Sequence, residues 1–439
     1  MPTATGSDGR GEGYFPRWTL KTTGVIMPDE RLPWAQTLVS GLQHGVAMSG
    51  ATIIAPLLMG FDPNVALLFS GIGTLIFFVI VGGRVPSYLG SSFSFIAVVI
   101  AVTGYSGQGP NPNLPVALGG IVGAGVLYGI IALIVMRAGV GWIEHLMPPV
   151  VTGAVVGVIG LNLAPVAVKA VSGSQFDTCI GLAVVLMIGL VAVAARGLWR
   201  RLPIILGAVG GYALYLLLAN GLGWGKPIDF APLAAAPWIG LPRFETPVFR
   251  TDAIILIAPV AIILVAENLG HIKAIGAMTG RSLDSLLGRA FLGDSVATIL
   301  SAFGGGTGVT TYAENIGVMA ATKVYSTLLF VVAATASVLL GFSPKFGALI
   351  LSIPGAVIGG LSIVVFGLIA AMAGRIWVEN KVDFSDPRNL ITVAVALTAG
   401  AGDLTLKFSD FAMGGIGTAT FGAIILYQIL RVTSASEQT

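Results

Sequence analysis

VALGGIVGAGVLYGIIALIVM, running from Val116 to Met136, is a stretch of 21 residues without a single charge. At 1.5 Å per residue a helix of that length reaches about 30 Å, the thickness of bilayer hydrocarbon. Outward from it, similar full-length stretches lie at 34–58, 64–83, 148–168, 178–195, 203–222, 252–272, 285–303, 324–342, 347–374, 387–402 and 411–430. Two more, 91–103 and 309–322, are too short to span as plain helices. One begins Ser91-Ser92-Phe93-Ser94-Phe95 and the other Val309-Thr310-Thr311-Tyr312, small or β-branched residues that favour irregular or extended backbone. Twelve helices and two irregular crossings make fourteen passes in an all-α polytopic membrane protein.

Composition agrees. Of the 439 residues 55% are hydrophobic and 10% charged, against about 25% charged in a soluble domain. That excludes a soluble enzyme. The single Cys179 excludes an internal disulfide and a cysteine-built metal cluster. A net charge of +3, scattered along the chain, gives no footprint for nucleic acid.

Residues 1–33 carry Arg10, Arg17, Lys21 and Arg31 with no apolar core or cleavage site, so they read as a polar, partly disordered tail rather than a signal peptide. An even number of passes places both termini on one side. With the termini inside, 17 of the 23 Lys and Arg fall in cytoplasmic segments, which is the orientation the positive-inside rule favours.

The chain also repeats itself. Pro148-Pro-Val-Val151-Thr-Gly153 recurs 206 residues later as Pro354-Gly-Ala-Val357-Ile-Gly359, each opening a long helix. The two short crossings start 218 residues apart, and each follows a glycine pair, Gly82-Gly83 or Gly305-Gly306. Seven passes per half is odd, so the second half has inverted topology. Interrupted segments at matching places in two inverted halves point to a transporter's binding site.

An acidic side chain inside a membrane is expensive, and three of the 20 acids, Glu267, Asp294 and Glu314, fall within apolar segments. Glu267 and His271 are four apart and share a helix face. A carboxylate beside an imidazole suits proton handling, with a structural clamp between helices as the alternative. Glu314 follows the second short crossing, where extended chain turns into a half-helix. Free backbone N–H groups there can receive carbonyl oxygens while the carboxylate accepts N–H groups, an arrangement that suits a neutral cyclic imide or amide. A metal site is the competing reading, but one His and two acids lack a ligand spacing. Asp294 either orients a neighbouring polar group or satisfies backbone. Gln43 and His44 on the first helix form a polar pair or a packing contact. His145, beside Glu144, lies in an interfacial loop outside the site. The chain has no ATP-binding loop, gating arginines, Ser-His-Asp set or HExxH, so neither a cofactor nor an enzymatic activity is expected.

Glu314-Asn315-x-Gly317-x-x-x-x-Thr322-Lys323, Gln43-His44, Leu89-Gly90-Ser91-Ser92-Phe93 and Glu267-x-x-x-His271 together resemble the nucleobase–ascorbate transporters, also called nucleobase–cation symporter family 2. The resemblance runs from about residue 32 to residue 430 and looks strongest to the bacterial uracil and pyrimidine permeases of uracil-utilisation operons. It implies a proton-coupled symporter of the cytoplasmic (inner) membrane, working as a homodimer in lipid by alternating access.

The implied core domain comprises segments 1–4 (34–138) and 8–11 (252–342). The gate comprises segments 5–7 (139–222) and 12–14 (343–431). A cytoplasmic tail spans 1–33, an extracellular or periplasmic connection 223–251 and a C-terminal tail 432–439. Segments 3 and 10 pair as short antiparallel strands at mid-membrane. Glu267, Glu314, Phe93, Tyr312, Ala313 and Ala51 would hold the nucleobase, with backbone at Phe93 and Ala313 meeting its carbonyls. His271 and Glu267 would couple protons, supported by Gln43, His44, Asn315, Asp294 and Thr311. Ala313 stands where uracil permeases carry Gly, which implies a slightly tighter pocket. Glu rather than Gln at 314 leans away from a xanthine or urate carrier, the nearer alternative. An anion transporter of the same fold is opposed by two glutamates and no nearby base.

Overall fold

The computed structural model describes residues 13–105, 109–196, 199, 202–408 and 411–436. A two-residue strand β1 (Thr19–Leu20) pairs in parallel with β2 (Glu30–Arg31) ahead of the long helix α1 (Trp34–Met59). Helix α2 (Pro63–Ile80) starts cleanly because Asp62 Oδ1 accepts the Asn64 N–H at 2.7 Å and Pro63, which has no N–H, takes the first position. The chain then straightens into β3 (Leu89–Ser91), makes a 3-10 turn over Phe93–Phe95 and continues as the short helix α3 (Ile96–Thr103).

Helices α4 (Leu114–Ala138), α5 (Gly141–Leu146), α6 (Pro149–Val171), α7 (Gln175–Ala194) and α8 (Pro203–Tyr215, continued by a wider turn to Gly221) follow. Beyond the short helix α9 (Ala231–Ala235), α10 (Thr251–Ile257) leads into α11 (Val260–Thr279). Helix α12 (Leu287–Phe303) then precedes β4 (Val309–Thr311) and the half-helix α13 (Ala313–Thr322). Helices α14 (Leu328–Gly341), α15 (Pro344–Leu351), α16 (Gly355–Glu379) and α17 (Pro387–Ala401) are followed by a hairpin of β5 (Leu406–Phe408) and β6 (Phe411–Met413). Helix α18 (Gly415–Ser436) ends the described chain.

Among the described residues, ten helices are long and apolar enough to cross a membrane, or eleven if α14 and α15, bent by 85°, count as one span. The chain is a multi-pass membrane protein, and its outward surface fits lipid. Leu182, Leu186, Leu190 and Val193 form an exposed aliphatic stripe along α7. Two stretches expected as full spans, 324–342 and 387–402, are helices of 14 and 15 residues. The expected span 347–374 is interrupted: α15 ends at Leu351, and Pro354 stands in extended conformation (φ −62°, ψ 146°) as the cap of α16. Proline disfavours helical backbone in the residue before it, and here the helix stops at Leu351, ahead of Ile353.

The helices pack in two sets. In the first, α1, α2, α4, α10, α12 and α14 pack on one another and enclose β3 and β4. In the second, α6 packs along α16, with α7, α8, α17 and α18 around them. The α6–α16 approach requires Gly160, where a Cβ would sit 2.5 Å from the Ala370 nitrogen and the Phe366 carbonyl oxygen. The proline-initiated segments at 148 and 354 thus begin two helices that lie against each other.

The expected disordered tail is corrected for residues 13–33. Ile26 is 1% exposed; its N–H donates to the Lys323 carbonyl (3.0 Å) and its carbonyl accepts from Tyr325 (2.8 Å). Trp18 Nε1 donates to Thr327 Oγ1 at 2.9 Å, and the Tyr14 hydroxyl donates to the Val79 carbonyl at 2.8 Å. Backbone pairing and two aromatic side chains strap this segment across the ends of α2, α13 and α14, although its composition is polar. Asp29 pairs with Arg281 at 2.7 Å in the turn after α11. Near the other terminus, Gln428 Nε2 of α18 donates to the His145 carbonyl at 2.8 Å. The neighbouring Glu144 is bonded by Lys273 of α11. These links bring both ends of the described chain to one face.

Candidate functional site

Two extended segments meet inside the first helix set. Leu89 pairs with Thr311, Gly90 with Thr310 and Ser91 with Val309 in an antiparallel ladder whose six residues are all buried. Side chains from the surrounding helices satisfy the outer edges of so short a ladder. The Leu89 N–H donates to Thr74 Oγ1 (2.9 Å), and Thr298 Oγ1 donates to the Val309 carbonyl (3.0 Å). Asn315 Nδ2 donates to the Tyr88 carbonyl at 3.2 Å. Tyr312 folds its ring over Gly90 and donates its hydroxyl to the Ser91 carbonyl at 2.8 Å. A Cβ at 90 would lie 2.5 Å from the tyrosine ring, so a larger residue there would require Tyr312 to move.

Each strand runs directly into a helix start. Ser92 Oγ accepts the Ser94 N–H at 3.3 Å and opens the turn into α3, while Tyr312, extended at φ −108° and ψ 134°, precedes α13. The Tyr312 side chain does not cap α13, and the positive end of the helix dipole lies beside Glu314 in the first turn. Glu267 on α11 faces it. The two helices pack together, and the carboxyl groups lie within electrostatic reach of one another. Among the described residues Glu267 Oε2 has no hydrogen-bond partner.

Burial sorts the expected residues into two groups. Glu267, His271, Glu314 and Phe93 are half-buried. Asn268, Asp294, Thr310, Thr311 and Asn315 are fully buried behind them. Asn268 Nδ2 donates to Asp294 Oδ2 (2.8 Å) and to the Tyr128 hydroxyl (3.0 Å), and Thr310 Oγ1 donates to Asp294 Oδ2 (3.4 Å). Thr311 Oγ1 donates to Asn268 Oδ1 (3.3 Å) and contacts His271 Nδ1 at 2.9 Å. The partner of His271 in this structure is therefore Thr311 rather than Glu267.

On α1, His44 is buried against Phe330, ring centroids 4.8 Å apart, beside Asn315, and the nearby Gln43 Nε2 has no partner among the described residues. The side chains of Ala51 and Ala313 fall outside the described residues; their backbones lie on α1 and at the start of α13. Among the described residues, no three His, Cys, Asp or Glu side chains converge to hold a metal ion.

Several members of the site were not singled out from sequence. Phe366 of α16 meets Phe93 edge to face at 6.0 Å between centroids, so the second helix set contributes a wall. In an apolar run one phenylalanine carries no signal. Asn268 and Tyr128 complete the buried network, and the placement of Asn268 between Glu267 and His271 was the available clue. An apolar cleft of about 490 Å³ elsewhere, between α9 and the α14–α15 bend, is lined by Phe230, Trp238 and Leu349. Its Lys345 ammonium already donates to the Leu233 and Ala234 carbonyls, leaving little for a polar solute.

The pattern of the family described as Permease family matches residues 35–409. The putative pyrimidine permease RutG of Escherichia coli (strain K12) is 62% identical over 420 residues, covering 95% of each chain. The chain belongs to the nucleobase–ascorbate transporter family. The uracil permease of Bacillus caldolyticus, 42% identical over 92% of this chain and 94% of its own, is another such relative. Among solved structures, the transmembrane domain of the cyanobacterial bicarbonate transporter BicA aligns with a TM-score of 0.58 at 14% identity, over 89% of this chain and 97% of that one. The murine Slc26a9 anion transporter in its inward-facing state aligns at 0.62 and 12% identity, over 91% and 68%. At such identities these likenesses show a shared fold alone. Like its permease relatives, this family member is a membrane transporter and not an enzyme.

Proposed function

We propose that this family member is a proton-coupled symporter that imports uracil, or a closely related pyrimidine, across the cytoplasmic membrane. The observation that carries the reading is the pair of half-buried carboxylates, Glu267 and Glu314, at the start of α13. Uracil presents N–H and C=O groups alternately along its edge. Glu314 accepts from its N–H, and backbone N–H groups near Phe93 and Ala313 donate to its carbonyls. Phe93 and Tyr312 pack beside the ring, with Ala51 completing the pocket from α1. The 62% identity to a putative pyrimidine permease supports a pyrimidine over xanthine or urate. No Lys or Arg occurs in 89–103 or 309–322, which argues against an anion.

Glu267 and His271 take up the coupled proton on this reading, with Asp294, Thr311, Asn315, Gln43 and His44 as the supporting network. Substrate travels with a core of residues 34–138 and 252–342 against a gate of 139–222 and 343–431, arranged as two inverted repeats of seven segments. The separate packing of the two helix sets supports that division. The gate stays fixed in a homodimer, and both termini face the cytoplasm. Uptake of labelled uracil into vesicles, competed by unlabelled bases and anions, tests the assignment. Competition by uracil and thymine is expected; displacement by xanthine, urate or bicarbonate instead would overturn it.

A further inference from the structure

The buried network behind the site has a direction, and the direction reaches the imidazole. Asn268 sits on α11 between Glu267 and His271, is 0% exposed, and its amide is oriented by two partners. Its nitrogen donates to Asp294 Oδ2 and to the Tyr128 hydroxyl, which leaves Oδ1 turned to Thr311. An amide oxygen can only accept. The one hydroxyl proton of Thr311 therefore goes to Asn268 Oδ1, and the contact between Thr311 Oγ1 and His271 Nδ1 has to be donated by the ring. In the opposite polarity Thr311 would give its proton to the ring and leave a fully buried amide oxygen unpaired, which native interiors avoid. The backbone of Thr311 is held by its pairing with Leu89 in the ladder, and its branched side chain has few rotamers to choose from.

We infer that Asp294, Asn268 and Thr311 act as a positioning chain that fixes neutral His271 as the Nδ1–H tautomer, leaving Nε2 as the nitrogen that accepts a proton. Asp294 anchors the chain with a carboxylate oxygen that accepts from both Asn268 and Thr310. Thr311 is the link that faces the ring. The functional meaning rests on the proposal that His271 couples protons; the tautomer itself does not.

The test is nitrogen NMR of the full-length protein, labelled with 15N-histidine and reconstituted in phospholipid vesicles at a pH where the ring is neutral. Protonated and unprotonated imidazole nitrogens resonate far apart, and the His271 signals are assigned by their loss in His271→Gln. The expected wild-type spectrum has Nδ1 protonated and Nε2 bare. Thr311→Val removes the acceptor and gives a mixture of tautomers, whereas Thr311→Ser keeps the hydroxyl and restores the wild-type pattern. A wild-type ring protonated at Nε2, or a Thr311→Val spectrum with the tautomer unchanged, would overturn the inference. Uptake driven by an imposed pH gradient, measured in parallel on His271→Leu, reports separately on the coupling role.

Discussion

Lys273 of α11, a helix packed on α4 and α12, donates to Glu144 of α5, which α18 holds through Gln428 and the His145 carbonyl. The helix that carries Glu267 and His271 is thereby tied to α18 of the second set. Both partners are 44% exposed, so the pair stabilises this arrangement by no more than about 1 kcal/mol, roughly fivefold in population. Charge reversal at either position, Glu144→Lys or Lys273→Glu, is expected to slow labelled-uracil uptake. The double reversal is expected to recover most of the rate. Equal rates in all four proteins would remove the pair from the transport cycle.

Gly90→Ala forces a methyl group into the Tyr312 ring and displaces the hydroxyl from the Ser91 carbonyl. Overpacking of this kind costs about 1–3 kcal/mol. The thermal unfolding midpoint of the purified variant should fall and uracil binding should weaken with it. A variant with unchanged midpoint and affinity would show that the strand pair yields freely.

The expected spans could be read from sequence because a bilayer makes composition itself the signal: Val116–Met136 has one environment that suits it. The interruption at Pro354 was visible in the residue but lost in the average hydropathy of its surroundings. Residues 13–33 misled for the opposite reason. Polar composition reads as solvated chain, yet Ile26 and Trp18 are held by pairing with Lys323, Tyr325 and Thr327, which lie some 300 residues away in sequence. Within the site, four-residue spacing put Glu267 and His271 on one face. It could not supply the partners that tertiary packing brings in, Thr311 from a strand and Phe366 from another helix set.

His271→Leu tests the proton role. Accumulation of uracil driven by a pH gradient should fall far more than equilibrium binding, because the imidazole is assigned to proton transfer and not to the base. Accumulation that still follows the imposed gradient as in the wild type would assign the proton elsewhere.

Motion of core against gate is tested by a cross-link. Helices α1 and α16 touch across the two sets, and the exposed native Cys179 is replaced first. A disulfide joining introduced cysteines on α1 and α16 should block transport while sparing uracil binding from one side of the membrane. Undiminished transport with the bond verified by mass spectrometry would count against relative motion of the sets.

The central claim is that Glu314, at the start of α13, holds a pyrimidine. Equilibrium binding of labelled uracil to purified wild type and Glu314→Ala, both confirmed as monodisperse, addresses it most directly. Hydrogen bonds to a charged group contribute about 1.5–3 kcal/mol, so the variant should bind at least about tenfold more weakly. Near-normal uracil affinity in a well-folded Glu314→Ala protein would place the substrate somewhere else.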